Sequence, residues 1–313
     1  MTTHLARPFK QVDVFTATPY FGNPLAVVLD GSDLSTDEMQ LFAQWTNLSE
    51  TTFVLPPTRA AKAAGADYRV RIFTTGGELP FAGHPTLGTC HAWLQAGGQQ
   101  QDSKFVMQES QIGLVRIRRD GDRLAFGAPP LKRSAPSPVL LAQVTAALGL
   151  KAQQIVAAQL LDNGPVWLGL LLDSQHTVLQ IQPNHMEIKA LGQKIGVVSV
   201  DQTLASSPLI SRSNREARAF GSTASSELSG ESPTVEVRAF AASIGINEDP
   251  VTGSLNASLA QWLIDDGLAP ARYLAAQGTC LGRAGRVFVE QDATGQVWVG
   301  GQSVTCVDGT VSL

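Results

Sequence analysis

The sequence predicts an α+β fold built as two pseudo-symmetric halves. Three observations carry this. The stretch RVRIFTTGGELPFAGHPTLGTCHAWLQAGG, residues 69–98, is echoed by VEVRAFAASIGINEDPVTGSLNASLAQWLIDDG, residues 235–267. Short segments of alternating apolar and polar residues dominate the chain, and the few helical patterns do not alternate regularly with them, which argues against a parallel doubly wound sheet. No G-x-G-x-x-G follows the first strand. In the echo, Arg71-Ile72-Phe73 answers to Arg238-Ala239-Phe240, and Pro85 with Gly88 to Pro250 with Gly253. A titratable residue precedes each proline, His84 in one copy and Asp249 in the other, so one group from each half is expected around a single site.

Taken in order, QVDVFT (residues 11–16) alternates as a strand does, Phe21-Gly22-Asn23-Pro24 turns the chain, and Leu25–Leu29 is the next strand. Ser35 caps a helix through Thr46, with Asp37 and Glu38 in its first turn and Leu41, Phe42 and Trp45 as its apolar face. The polar break NLSE precedes the strand TTFVL. Residues 68–73 form an alternating strand. Pro85 suits a helix start, because its missing N–H costs nothing there; Leu87, Cys90, His91 and Leu94 line that helix, and Gly97-Gly98 stops it. Strands follow at 104–108, 112–118 and 123–126, with Asp120-Gly121 as a hairpin turn. Prolines crowd Ala128–Val139, and the domain junction is placed there. Beyond it come a helix from Leu140 to Leu148, strands at 153–160, 166–172 and 195–200 separated by the polar stretch Leu179–Lys194, a strand at 234–240, and a helix opened by Val251 or Gly253 that ends before Gly267. The tail alternates as RVFVE, QVWVG and SVTCVDGTVSL. The expected domains are residues 1–128 and residues 129–300, and the C-terminal strand 301–313 could finish either.

Composition excludes several classes. With 43% hydrophobic residues the 313-residue chain supplies ample cores, and with 16% charged residues it does not read as disordered. A net charge of −4 leaves no nucleic-acid footprint. The basic run Arg116–Arg123 holds two aspartates and reads as a solvated strand face. The longest apolar run, Val166–Leu172, is far too short to span a membrane, and the N-terminus has no apolar targeting core, so a cytoplasmic home is expected. Cys90, Cys280 and Cys306 offer neither a disulfide framework nor zinc spacing and read as small buried thiols. His4, His91, His176 and His185 lack partners at ligand spacing, so no metal is expected.

The blocks DVFTATPYFGNPLAVV, NLSETTFV, RIFTTGGELPFAGHPTLG and VRAFAASIGINEDPVTGS together resemble the phenazine-biosynthesis isomerase-like family, of the diaminopimelate-epimerase-like fold, in the family's order across essentially the whole chain. The resemblance implies two pseudo-symmetric domains, each a curved antiparallel sheet around a central helix, with the site in the cleft between them. It implies an isomerase that needs no cofactor, often a homodimer, acting on a small carboxylated metabolite with no nucleic-acid or membrane partner. Catalytic roles carry over to Glu50, His84 and Asp249. Substrate-binding roles carry over to Ser254, beside Gly83, Gly253 and Asn23. The three cysteines lie outside the blocks around His84 and Asp249, which disfavours the two-thiol mechanism of the related epimerases.

Residue chemistry is compatible with this. A carboxylate at Glu50, beside an apolar strand in a closed cleft, loses solvation and gains affinity for a proton, as a group that takes and returns protons requires. The plain alternative is an exposed loop acid. His84 near a helix start favours a neutral ring, or simply packs its own turn. Asp249 suits a helix N-cap as well as a shuttle, and Glu248 reads as its structural neighbour. Gly253, Ser254 and Asn256 resemble an anion-holding helix start, which Gly83 and Gly88 repeat in the first half. Gly77 turns the chain, and Asp13 fixes its own loop. A racemase or epimerase in the same cleft and a non-enzymatic binder of small acids are the competing readings.

Overall fold

The duplication in the sequence becomes a duplication of strand pairing. A computed structural model describes residues 5–201 and 232–313; His4 lies outside them. In the first half, Asn23–Val28 runs parallel to Glu50–Leu55, which pairs antiparallel with Tyr68–Phe73, which runs parallel to Phe105–Ser110. Val166–Leu172, Ile195–Val200, Val235–Ala241 and Arg272–Gln277 repeat that order of pairings in the second half. The sheet is mainly antiparallel, with two parallel pairs in each half, and the chain explains them. Parallel neighbours need a crossover, and helices supply each one: Thr36–Thr46 and Gly83–Gln95 in the first half, Gln175–Gln180 with His185–Leu191, and Gly253–Asp265, in the second.

Three further strand pairings lie outside this repeat. Arg123–Gly127 pairs with Val297–Gly301. Lys132–Ser134, just past the first half, pairs with Ile155–Asp162 of the second. The C-terminal strand Ser303–Ser312 lies antiparallel to Ala6–Val14, at the opposite end of the chain. Among the described residues all 18 strands belong to one curved sheet.

Gly83–Gln95 and Gly253–Asp265 are the central helices, buried along most of their length. Leu87 and Cys90 of one and Leu255, Leu259 and Trp262 of the other are sealed in the main core with Val12, Leu25, Val198 and Val237. Each large apolar side chain so buried contributes about 1.5–3 kcal/mol. Glycine lets helix and sheet approach: a Cβ at Gly88 would stand 2.7 Å from Leu25 Cδ2 and Val14 Cγ2. Gly88 therefore packs the helix on its sheet and does not hold an anion.

The structure also corrects the register of the repeat. Pro85 is the third residue of its helix, whereas Pro250 precedes its own. The helices start at Gly83 and Gly253, so ELPFAGH (78–84) matches EDPVTGS (248–254), with Glu, Pro and Gly at the same spacing. His84 therefore corresponds to Ser254, and Asp249 to Leu79. Matched ion pairs support this register: Arg71 grips Glu78 through two bonds of 2.7 Å, and Arg238 grips Glu248 through two of 2.9 Å.

Local expectations shift elsewhere. Asn23 and Pro24 already lie within the second strand. The helix Thr36–Thr46, with Ser35 and Glu38 as a reciprocal cap, buries Met39, Phe42 and Ala43. Leu41 and Trp45 are exposed, Trp45 stacking on Phe42 from outside. The polar stretch 179–194 holds the helix His185–Leu191, capped by Asn184, and the end of the helix Gln175–Gln180, capped by Ser174. Strand Arg272–Gln277 and helix Arg59–Ala63 had no sequence forecast. Of the thiols only Cys90 is fully buried, and burial pushes it up to about 12; Cys280 sits in an exposed turn. The basic run is partly engaged, with Arg118 paired to Glu290 and Arg116 over the Phe105 ring.

The Arg238–Glu248 side chains are 5% and 8% exposed, against 16% and 19% for Arg71–Glu78. Glu248→Ala strands a buried guanidinium and is expected to cost about 3–5 kcal/mol, with Glu78→Ala costing less; urea unfolding of both variants at neutral pH measures the difference.

Candidate active site

Glu50 opens its strand, and the parallel pairing with Leu25 places it beside the start of Gly83–Gln95. There its Oε2 lies 3.4 Å from His84 Nε2. Neither atom has a hydrogen-bond partner among the described residues. The Glu50 side chain is 13% exposed and that of His84 5%, so Glu50 is not an exposed loop acid.

Asn23 joins the halves. Its Nδ2 donates to Asp249 Oδ1 and to the Val251 carbonyl, both at 2.9 Å, and approaches His84 Nδ1 at 3.4 Å. A donor facing Nδ1 favours the neutral tautomer with hydrogen on Nε2, the nitrogen that faces Glu50. Asp249 does not cap the second helix, whose N-cap is Thr252. The Thr252 hydroxyl instead donates to Asp249 Oδ2 at 2.6 Å.

A brace beneath this turn was not visible in the sequence. Gln277, fully buried at the end of Arg272–Gln277, donates to the Asp249 carbonyl and the Thr252 hydroxyl, and its Oε1 accepts from the Thr252 amide and Asn256 Nδ2. Asn256 also donates to the Thr252 carbonyl, so its amide serves the brace and holds no anion. Nothing near Gln277 in the sequence marks this role, because its partners lie more than twenty residues away. Asp13 does fix its loop, accepting from the Gly22 amide, and Gly77 turns the chain with Thr74.

Gly83 and Gly253 bring the two helix starts together. A Cβ on either glycine would lie 2.9 Å from the other's Cα. Neither start has a side-chain cap. The Ser254 hydroxyl accepts from Trp167 Nε1 at 3.2 Å, and the Ser254 carbonyl accepts from Asn163 Nδ2 at 3.0 Å. The structure thus brings Glu50, His84, Asp249, Asn23, Gly83, Gly253 and Ser254 around one junction. Among the described residues no three His, Cys, Asp or Glu side chains gather as a metal site needs, and no helix is long and apolar enough to cross a membrane.

Burial sets the proton affinities. Loss of solvation, and then the charge of Asp249, push Glu50 up to about 8. Loss of solvation raises Asp249 to about 6 against the opposing hydrogen bonds from Thr252 and Asn23. Loss of solvation depresses His84 to about 3, keeping the ring neutral. Two acids and a neutral imidazole with separated affinities can take a proton at one atom and deliver it at another.

The family model described as phenazine biosynthesis-like protein matches residues 12–309. Antisense-enhancing sequence 1 of Schizosaccharomyces pombe is 35% identical over 99% of both chains. The trans-2,3-dihydro-3-hydroxyanthranilate isomerase of Pseudomonas fluorescens is 30% identical over 96% of this chain and 98% of its own. A crystal structure of a PhzF-family phenazine biosynthesis protein from Bacillus anthracis shares the fold, with a TM-score of 0.76 and 21% identity over 99% of this chain and 100% of that one.

The raised affinity of Glu50 links stability to pH. Between about 4.5 and 8 the folded protein holds a proton that the unfolded chain releases, so this contribution is present below 4.5 and is lost as pH rises through 8. His84 acts in the opposite sense, contributing stability above 6.5 that is lost as pH falls towards 3. Glu50→Gln is therefore expected to flatten the decline of stability from pH 4.5 to 8, read from urea midpoints across that range; an unchanged slope would contradict the assignment.

Proposed function

The chain belongs to the phenazine biosynthesis-like protein family and is an isomerase, and from that premise we propose that it moves a proton within a small carboxylate-bearing metabolite by general acid–base catalysis at Glu50. The observation that carries the reading is the enclosed Glu50–His84 contact, 3.4 Å long and linked through Asn23 to Asp249 of the other half.

In its ionised form Glu50 removes a proton from a carbon made acidic by a neighbouring carboxylate, carbonyl or double bond. Negative charge developing on the substrate is stabilised by the helix starts at Gly83 and Gly253 and by the Ser254 hydroxyl. Glu50 then returns the proton at a second carbon, or a relay through His84 and Asp249 does so. His84 is neutral, with Nε2 towards Glu50 and Nδ1 towards the Asn23 amide. Asn23 holds Asp249 and the His84 tautomer in place. The units that close on the substrate are residues 1–128 with 301–313, and residues 129–300; enclosure keeps the abstracted proton from bulk water.

The test is turnover in deuterium oxide of small unsaturated and cyclic acids, beginning with the compound named for the Pseudomonas fluorescens relative. Solvent deuterium is expected at the new C–H position, located by NMR, and an inverted centre in place of a shifted double bond would identify an epimerase. Glu50→Gln is expected to lower the rate by about 10²–10⁴-fold with the fold intact by circular dichroism. A fully active Glu50→Gln protein would refute the role. Because abstraction needs the ionised carboxylate, kcat/KM is expected to rise with pH through about 8, and a profile flat across that region contradicts Glu50 as the base.

A further inference from the structure

The duplicated frame sets a residue of opposite charge against Glu50. Thr51 pairs with Phe73 in the first half, and Ile195 pairs with Phe240 in the second. Phe73 and Phe240 end the matched segments Arg71–Phe73 and Arg238–Phe240, so the residues preceding Thr51 and Ile195, Glu50 and Lys194, are equivalent. Side chains alternate along a strand, which puts Lys194 on the face of Gly196 and Val198. Gly196 lies against Leu255 of the second central helix, and Val198 belongs to the main core. Lys194 is thus directed towards the start of Gly253–Asp265, as Glu50 is towards the start of Gly83–Gln95.

What surrounds Lys194 is incomplete as a polar site. Its Nζ lies 5.4 Å from the centre of the Trp167 ring, and the same indole donates to the Ser254 hydroxyl. Among the described residues its ammonium has no ion pair or hydrogen bond. Partial burial strips some water from it and holds its proton affinity below the ordinary lysine range. Asn163, 7% exposed, donates to the Ser254 carbonyl, while its Oδ1 is buried without a partner. An unpaired cation and an unpaired acceptor on one helix start are each unfavourable until something complementary meets them.

We propose that Lys194 is the cationic anchor of the site: a small acid lies across the Gly83–Gly253 contact with its carboxylate towards Lys194 and Ser254, its exchangeable C–H towards Glu50, and an adjacent hydroxyl or amino group donating to Asn163 Oδ1. This deepens the isomerase reading and rests on it for the Glu50 end. Charge supports the orientation. Near neutral pH the Asp249 carboxylate repels an anionic group, whereas the Trp167 face holds a cation with no counter-ion among the described residues, so an acid enters with one preferred end.

The experiment is calorimetric titration of anthranilate and its neutral twin anthranilamide into the wild-type protein, Lys194→Met, Lys194→Arg and Glu50→Gln. The wild type is expected to prefer the acid. Lys194→Met is expected to lose anthranilate affinity by at least about tenfold and to bind the amide unchanged, and Lys194→Arg to keep most of the preference. Glu50→Gln is expected to retain the Lys194-dependent preference, so loss of isotope exchange and loss of anchoring are read separately. Lys194→Met binding anthranilate as the wild type does, or a wild type that shows no preference for the acid, overturns the proposal.

Discussion

Two helices meeting nose to nose at glycine is the constraint from which the rest of the arrangement follows. At the Gly83–Gly253 contact no side chain fits, since a Cβ on either residue would enter the other's backbone. The same contact brings together the positive ends of two helix dipoles, neither capped by a side chain. Like ends at this distance repel unless negative charge lies nearby. Burial of the helices in the main core holds them there, and the Asp249 carboxylate beside the junction is the protein's own source of balancing charge. A junction that favours anions and has no side chain filling it suits a small acid, and it owes this to packing before any catalytic residue is considered.

Around that junction the frame is repeated and the chemistry is not. Both halves keep an arginine–glutamate pair at the matched positions, Arg71 with Glu78 and Arg238 with Glu248, which locks the turn ahead of each central helix. Between that lock and the helix the halves diverge: Leu79 faces Asp249 in the match, and His84 faces Ser254. A symmetric site would bind a small molecule equally well in two orientations. Unequal charges at equivalent positions leave one orientation favoured, and directional proton transfer needs that.

The sequence made the strands and central helices legible because their periodicity is local. Glu50, His84 and Asp249 stood out because the blocks containing them are distinctive. The repeat itself was legible, but its register was not. Prolines drew the alignment to Pro85 and Pro250, whereas the glycine contact, a feature of tertiary packing, fixes it at Gly83 and Gly253. Gln277 and Asn163 were invisible for a related reason. Their partners lie far along the chain, at Thr252 and Ser254, and an amide side chain in a strand or turn carries no local sign of what it braces. Trp45 shows the converse. Its spacing fits an apolar helix face, yet the sheet beneath the helix is already filled by Met39, Phe42 and Phe53, and the indole is left outside.

The order of proton affinities in the site follows from how each group is satisfied. Asp249 and Glu50 both lose solvent, but Asp249 recovers two hydrogen bonds, from Asn23 and Thr252, that favour its charged form, and it stays near 6. Glu50 recovers none at Oε2, feels the Asp249 charge as well, and rises to about 8. His84, deprived of solvent between them, stays neutral down to about 3. Near neutral pH the site therefore keeps one proton on Glu50 and a negative charge on Asp249. Ionising Glu50 from that state costs roughly 1.4 kcal/mol per unit by which the pH lies below its affinity, small beside a catalytic barrier. A carboxyl so placed is a competent acid and, for little energy, a competent base. That dual character rests first on the burial of Glu50 itself and then on Asn23 and Thr252, which hold the neighbouring charge in place.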